Sequence, residues 1–220
     1  MALTPLALLG GGGHASDLLG VIEECNVKEL KYQVVCGFDD HPENIAFEQF
    51  RARGVEYYVL TQERIKDLKA PKIDYVSAVG YPIPREKFAL RAEALGLKAA
   101  DPIIHPGAVW VATGATLGPG TVIHAGVSVG VHASVGAHVY VSHGALIGHD
   151  SVIGDWGCIM PGASLSGGVV LGPSVMVGSG AVILEGVSVG ANAVIGANAV
   201  VTKDVPSSTT VVGVPAKAII

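Results

Sequence analysis

Aromatic residues make up only 5% of this 220-residue chain, charged residues only 15%, and there are three cysteines. Each scarcity removes a possibility. With so few rings, the core that a chain of this length can bury must be packed from Val, Ile, Leu and Ala. With 14 Lys and Arg against 19 Asp and Glu, a formal charge of -5 and no basic cluster, no cationic face is offered to a phosphate backbone, so no nucleic acid partner is expected. Cys25, Cys36 and Cys158 are odd in number and unpatterned, which predicts reduced thiols rather than a disulfide or zinc framework. Long apolar runs are missing too. Mean hydropathy is +0.49, yet Gly, Asn or His interrupts each stretch before the roughly 18 to 20 residues that a span needs, so no membrane insertion is expected. The N-terminal MALTPLALLGGGGH has no basic n-region or export cleavage pattern, which predicts a cytoplasmic protein.

What the chain does have is glycine, 30 residues of it, and two different periodicities. Residues 1–100 read as alternating strands and helices. Strands are predicted at Leu6 to Leu9, Gln33 to Phe38, Tyr57 to Leu60 and Tyr75 to Val79, and helices at about Ala15 to Glu24, after Thr61 as a cap, and from Pro84 to Leu95. That alternation favours a parallel sheet covered by helices, an α/β domain of Rossmann-like type. From Ile104 to Val205 the sequence follows a six-residue frame without insertion, IHPGAV WVATGA TLGPGT and onward. From Val111 to Val201 the second position of every hexad is Val, Ile or Leu, sixteen in succession, and the sixth is always Ala, Val, Ser, Thr or Gly. Two inward positions per hexad suit a short strand, and the turn formers between them let the chain bend, so each hexad is one side of a three-sided parallel β-helix with about 18 residues per coil. The domains are then 1–100, 101–205 and a tail, 206–220.

In such a coil, residues 18 apart stack. His149 lies between Val131 and Gly167, and its neighbour Asp150 lies between His132 and Gly168. An imidazole at a corner beside a side-chain-free rung has room for an extended ligand, and its titration range suits a general base. Asp150 either holds the His149 tautomer and supports its cation or pairs with His132 across the rungs.

In the front domain, Gly10, Gly12 and Ala15 give a G-x-G-x-x-A order between a strand and a helix, a setting in which backbone N–H groups hold an anion. About 100 residues cannot hold the second half that NAD requires, so a nucleotide diphosphate fits better. Asp39 and Asp40 after the second strand either accept hydrogen bonds from a base or ribose or cap a turn.

The six-residue frame and HDSVIGD (149–155) resemble the left-handed β-helix hexapeptide-repeat sugar acetyltransferases, in particular the bacillosamine-type and perosamine-type nucleotide-amino-sugar N-acetyltransferases and the sialic-acid-pathway O-acetyltransferases. The left hand comes from the resemblance alone, because the general crossover rule would give the right hand. The resemblance implies an acetyl-CoA-dependent transfer to a nucleotide-linked amino sugar, in a homotrimer with active sites between prisms. The alternatives are O-acetyl transfer on the same build, or a non-catalytic nucleotide-sugar-binding scaffold. His149 and Asp150 are the implied catalytic pair. Gly10, Gly12, Gly13, His14, Asp39, Asp40 and Arg85 fall on the nucleotide-sugar side. Cys158, Gly167, Ala197 and Lys217 fall on the acetyl-CoA side, with GVPAK (213–217) matching the segment that closes the coenzyme cleft.

This chain departs from the pattern in three places. Cys158 stands where some members place a second His, Ser142-His143 where relatives often show Asn-Thr, and Tyr81 where an Asn is expected. Cys158 is then either an acylated nucleophile or a packed thiol, and Lys217 either meets a phosphate or is an exposed terminal lysine. No metal is implied. His138 and His143 form a close pair, but a β-helix zinc site wants a third His two coils earlier, where Pro102 stands before His138 and His105 is out of step.

Overall fold

The structure, a computed structural model, describes residues 3–43, 48–68 and 72–219. Met1 and Ala2 of the expected front domain and Ile220 of the expected tail lie outside the described residues. The chain divides into two compact units, residues 1–80 with 84–101 and residues 81–83 with 102–220.

In the first unit, β1 (Thr4–Leu9), β2 (Tyr32–Phe38), β3 (Tyr57–Tyr58), β4 (Asp74–Ser77) and β5 (Lys98–Ala99) form one parallel sheet in the order β3-β2-β1-β4-β5. The helices are α1 (Gly13–Lys28), α2 (Glu48–Arg51), α3 (Gln62–Asp67) and α4 (Pro82–Ala94). The central strand β1 is apolar on both faces, with Leu6, Leu8 and Leu9 fully buried, as a strand covered on both sides requires. Thr61 caps α3 by accepting a hydrogen bond from the Arg64 N–H at 3.2 Å. Two elements escaped the sequence reading, α2 and β5, because four and two residues are too few to display a period. Helix α1 starts two residues before the expected Ala15, since Gly13 and His14 supply a first turn whose N–H groups need no helical partner.

In the second unit, two-residue strands recur every six residues and stack into three parallel sheets. The register is 18 residues from Trp110 to Val201: Ser128 pairs with Leu146 and Leu146 with Ser164, and the other two sheets run likewise. At the start the expected frame fails, because Ile103–Ile104 pairs with Val122–Ile123 at a separation of 19, so the first coil holds one inserted residue and Ile104 aligns with a second position rather than a first. The second and sixth positions of the hexads form one continuous core from Ile123 to Val211, with Ile123, Val129, Ile147, Leu165 and Ile183 each at 1% exposure or less. Each such side chain contributes about 1.5–3 kcal/mol of burial.

The corners obey a second rule that the sequence reading did not state. From Gly114 to Asn198, every fifth hexad position has a positive φ, whether the residue is Gly or one of His132, His138, Asp150, Trp156, Ser174, Asn192 and Asn198. A left-handed corner explains why Gly and Asn dominate there.

One expectation fails at the end of the frame. The last hexad was read as VVTKDV with Val205 in its sixth position, but Val205 bridges Val189, a second-position residue 16 positions back. Asp204 accepts the Ser188 N–H and Val205 donates to Ser188 O, so the corner at Lys203 is two residues short. The next strand, Thr210–Val212, keeps that shift by pairing Ile195 with Val211. The aliphatic side chain of Val205 satisfies either position, which hid the deletion. The tail then folds back, with Lys217–Ala218 antiparallel to Thr210–Val212.

Candidate functional site

Strand order places the first candidate region. The chain progresses one way from β1 through β2 to β3 and the other way from β1 through β4 to β5, so the carboxyl ends of β1 and β4 flank the switch point where α/β sheets bind ligands. Gly10 follows β1 with φ +105°, a conformation that L side chains rarely adopt, and a Cβ there would meet Val79 Cγ2 at 2.9 Å. Gly12 caps α1 without a side chain, and neither Gly12 nor Gly13 has an atom within 4 Å of where a Cβ would stand. The first turn of α1 is thus open to an approaching anion.

The structure gathers most of the front-domain candidates around this loop. Asp39 accepts the N–H of Gly11 at 2.9 Å through one oxygen and that of His41 at 2.9 Å through the other, which joins the acidic turn to the glycine loop. Tyr57, absent from the sequence list, donates its hydroxyl to Gly10 O at 3.0 Å, and burial raises its pKa. His14 packs where a Cβ on Gly80 would stand. Burial lowers the His14 pKa, with Arg85 adding to the effect and Asp17 opposing it. Arg85 is 2% exposed and donates to Val79 O at 3.3 Å, so it braces the turn after β4. Asp40 stands apart, because both its oxygens accept from Arg91 at 2.9 and 3.0 Å. Nothing local announces that pair, whose members lie 51 residues apart.

The second candidate region is the corner at His149 and Asp150. Nδ1 of His149 is 2.8 Å from Asp150 Oδ2, and His132 Nδ1 is 3.3 Å from Asp150 Oδ1. One carboxylate therefore contacts both imidazoles. The hydrogen bond from His149, reinforced by that from His132, holds the Asp150 carboxyl below its usual range. With Nδ1 of His149 engaged, Nε2 is the free end of the ring, and it lies over Gly167, where a Cβ would come within 2.5 Å. The His149 side chain is 61% exposed. An imidazole held at Nδ1 and largely exposed can act as an oriented base.

The coenzyme-side candidates differ in exposure. Ala197 and Lys217 are exposed, on a corner and on the antiparallel tail strand. Cys158 is fully buried in the strand Cys158–Ile159. A thiol with no exposed surface is not acylated from solution, so the packed reading of Cys158 stands. None of the three cysteines is in a disulfide. Among the described residues no group of three or more His, Cys, Asp or Glu could hold a metal ion, and no helix is long and apolar enough to cross a membrane.

With this geometry established, comparison with known proteins is informative. Residues 5–92 match the PglD N-terminal domain, and residues 168–203 match the bacterial transferase hexapeptide (six repeats). No curated protein matches the chain. Among solved structures, PerB from Caulobacter crescentus in complex with CoA and GDP-perosamine is similar at 28% identity and a TM-score of 0.85, over 100% of this chain and 99% of that one. A second structure of the Caulobacter crescentus perosamine N-acetyltransferase, with one histidine replaced by asparagine, aligns at 27% identity and a TM-score of 0.86, over 100% and 98%. The acetyltransferase domain of PglB from Neisseria gonorrhoeae FA1090, in complex with acetyl coenzyme A, aligns at 29% identity and a TM-score of 0.83, over 99% and 100%.

Proposed function

We propose that this chain, which joins a PglD N-terminal domain to bacterial transferase hexapeptide repeats, is an acetyl-CoA-dependent N-acetyltransferase acting on a nucleotide-linked amino sugar. The observation that carries the reading is the His149–Asp150 contact of 2.8 Å with Nε2 directed over side-chain-free Gly167. Full-length similarity to PerB with CoA and GDP-perosamine, and to the PglB domain with acetyl coenzyme A, supports the substrate classes.

In this reading the sugar amine attacks the thioester carbon while His149 Nε2 accepts the proton, so that nitrogen and carbon join as the amine loses its hydrogen. Asp150 holds the Nδ1 proton and supports the resulting imidazolium. A backbone N–H near Gly167 stabilises the oxyanion. Collapse of the tetrahedral intermediate breaks the carbon–sulfur bond, and the thiolate of CoA leaves and takes up a proton. The glycine loop at Gly10, Gly12 and Gly13, with His14 and Asp39, receives the nucleotide diphosphate, while Arg85 and Asp40 support that loop and its neighbouring turn. Ala197 and Lys217 border the acetyl-CoA. The working form is a cytoplasmic homotrimer.

Incubating the purified protein with acetyl-CoA and a panel of nucleotide amino sugars, alongside hydroxy-sugar counterparts, tests the assignment by product mass. Acetylated amine is the expected product, and acetylation only of the hydroxy sugars would overturn it. His149→Ala is expected to lower turnover by about 10² or more, the scale of a general base, with acetyl-CoA binding retained by calorimetry.

A further inference from the structure

His132 lies outside the dyad, yet it faces the same carboxylate. Residues 132 and 150 occupy the same corner on successive coils, so the stacking that sets the register also points one imidazole at Asp150 from the neighbouring rung. The two oxygens divide the work, Oδ2 to His149 at 2.8 Å and Oδ1 to His132 at 3.3 Å. Among the described residues, the titratable groups at this corner are His132, His149 and Asp150, and the coils beyond them present only Gly114 and Gly168. No other charge compensates Asp150 there.

We infer that His132 is a positioning residue for the transfer reaction: it fixes the rotamer of the Asp150 carboxylate and, when protonated, weakens the base at His149. The inference rests on the reading of His149 as the base. Two effects follow from the geometry, and they are separable. As a hydrogen-bond donor, His132 anchors Oδ1 so that Oδ2 stays aimed at His149 Nδ1. As a cation, it draws on the same carboxylate that stabilises the His149 imidazolium, so the His149 ring gives up its proton more readily. The depressed pKa of Asp150, to which both imidazole contacts contribute, agrees with a carboxylate shared in this way.

The left-handed corner dictates which variants keep the fold. His132 has φ 58°, so Ala would be strained there. Glycine already occupies the same corner at Gly114 and Gly168, and asparagine occupies equivalent corners at Asn192 and Asn198 with φ 59° and 56°. His132→Asn keeps a donor near the Nδ1 position and cannot be charged, whereas His132→Gly removes both functions.

The experiment is a titration of histidine-labelled full-length protein by NMR, with the His149 resonance assigned through His149→Asn, followed by turnover measurements at the pH optimum. With the competing cation gone from the shared carboxylate, the His149 titration midpoint should rise in both His132 variants. Turnover of the Gly variant should fall by about 2- to 5-fold and that of the Asn variant should stay near wild type. A His149 midpoint that is the same in all three proteins overturns the inference, because a purely structural contact would leave it in place. A moved midpoint in a protein that acetylates no nucleotide amino sugar would refute the proposed reaction and leave the coupling standing.

Discussion

A methyl group on Gly167 would lie 2.5 Å from Nε2 and 2.6 Å from Cε1 of His149, closer than any real contact. The imidazole would have to swing away. Gly167 has no positive φ, so its backbone accepts alanine without strain, and the damage should fall on geometry alone. Gly167→Ala is therefore expected to lower turnover by about 10²-fold, the cost of misplacing a reacting group by about an ångström, with little change in melting temperature. Steady-state rates beside a thermal melt check it, and an unaltered rate would mean that the ring does not work from this position. The same residue shows how far sequence reaches at this scale. Stacking 18 apart named Gly167 as the rung beside His149, but the distance that makes a single methyl intolerable depends on a side-chain rotamer that no spacing encodes.

At the scale of elements, the repeat determines what each position tolerates. Ile147 is inward in the strand Leu146–Ile147, 1% exposed, between Val129 and Leu165 on the adjoining coils. Neighbouring rungs cannot collapse into a void without breaking their own register, so Ile147→Ala should cost about 2–5 kcal/mol, read from the denaturant midpoint at constant slope. The strands of the prism were legible because sixteen aliphatic second positions recur without interruption, and most strands of the front sheet because their apolar runs are bounded by turn formers. The shortened corner at Lys203 was not legible, since Val205 suits an inward position in either frame. Nor was the brace between Asp40 and Arg91, which follows from the tertiary placement of a turn and a helix rather than from any local pattern.

For the molecule as a whole, two depressed pKa values bear on stability in acid. His14, pushed below 6.5 chiefly by burial, binds a proton less readily folded than unfolded, so stability falls as pH drops below 6.5 and stops falling once pH passes the folded value. Asp150, held below 3.8 by its hydrogen bond from His149, contributes stability that is present above 3.8 and is lost as pH falls through its lower folded value. The two windows do not coincide, so the His14 contribution is lost at a higher pH than that of Asp150. Melts across the range from about pH 7.5 to 5 should show a decline that His14→Gln flattens. An identical decline in the variant would place the proton uptake elsewhere.

The left-handed corners have an engineering consequence. Gly167 and Gly168 hold the same two corner positions as His149 and Asp150 one coil further on. Transplanting the pair there, with glycines left behind, would slide the proposed base nitrogen along the column by one strand spacing, about 4.8 Å, while every inward row keeps its own side chains. A thioester arm of fixed reach would then meet a base at a different depth, which turns the coil number into an adjustable ruler for acyl-chain length.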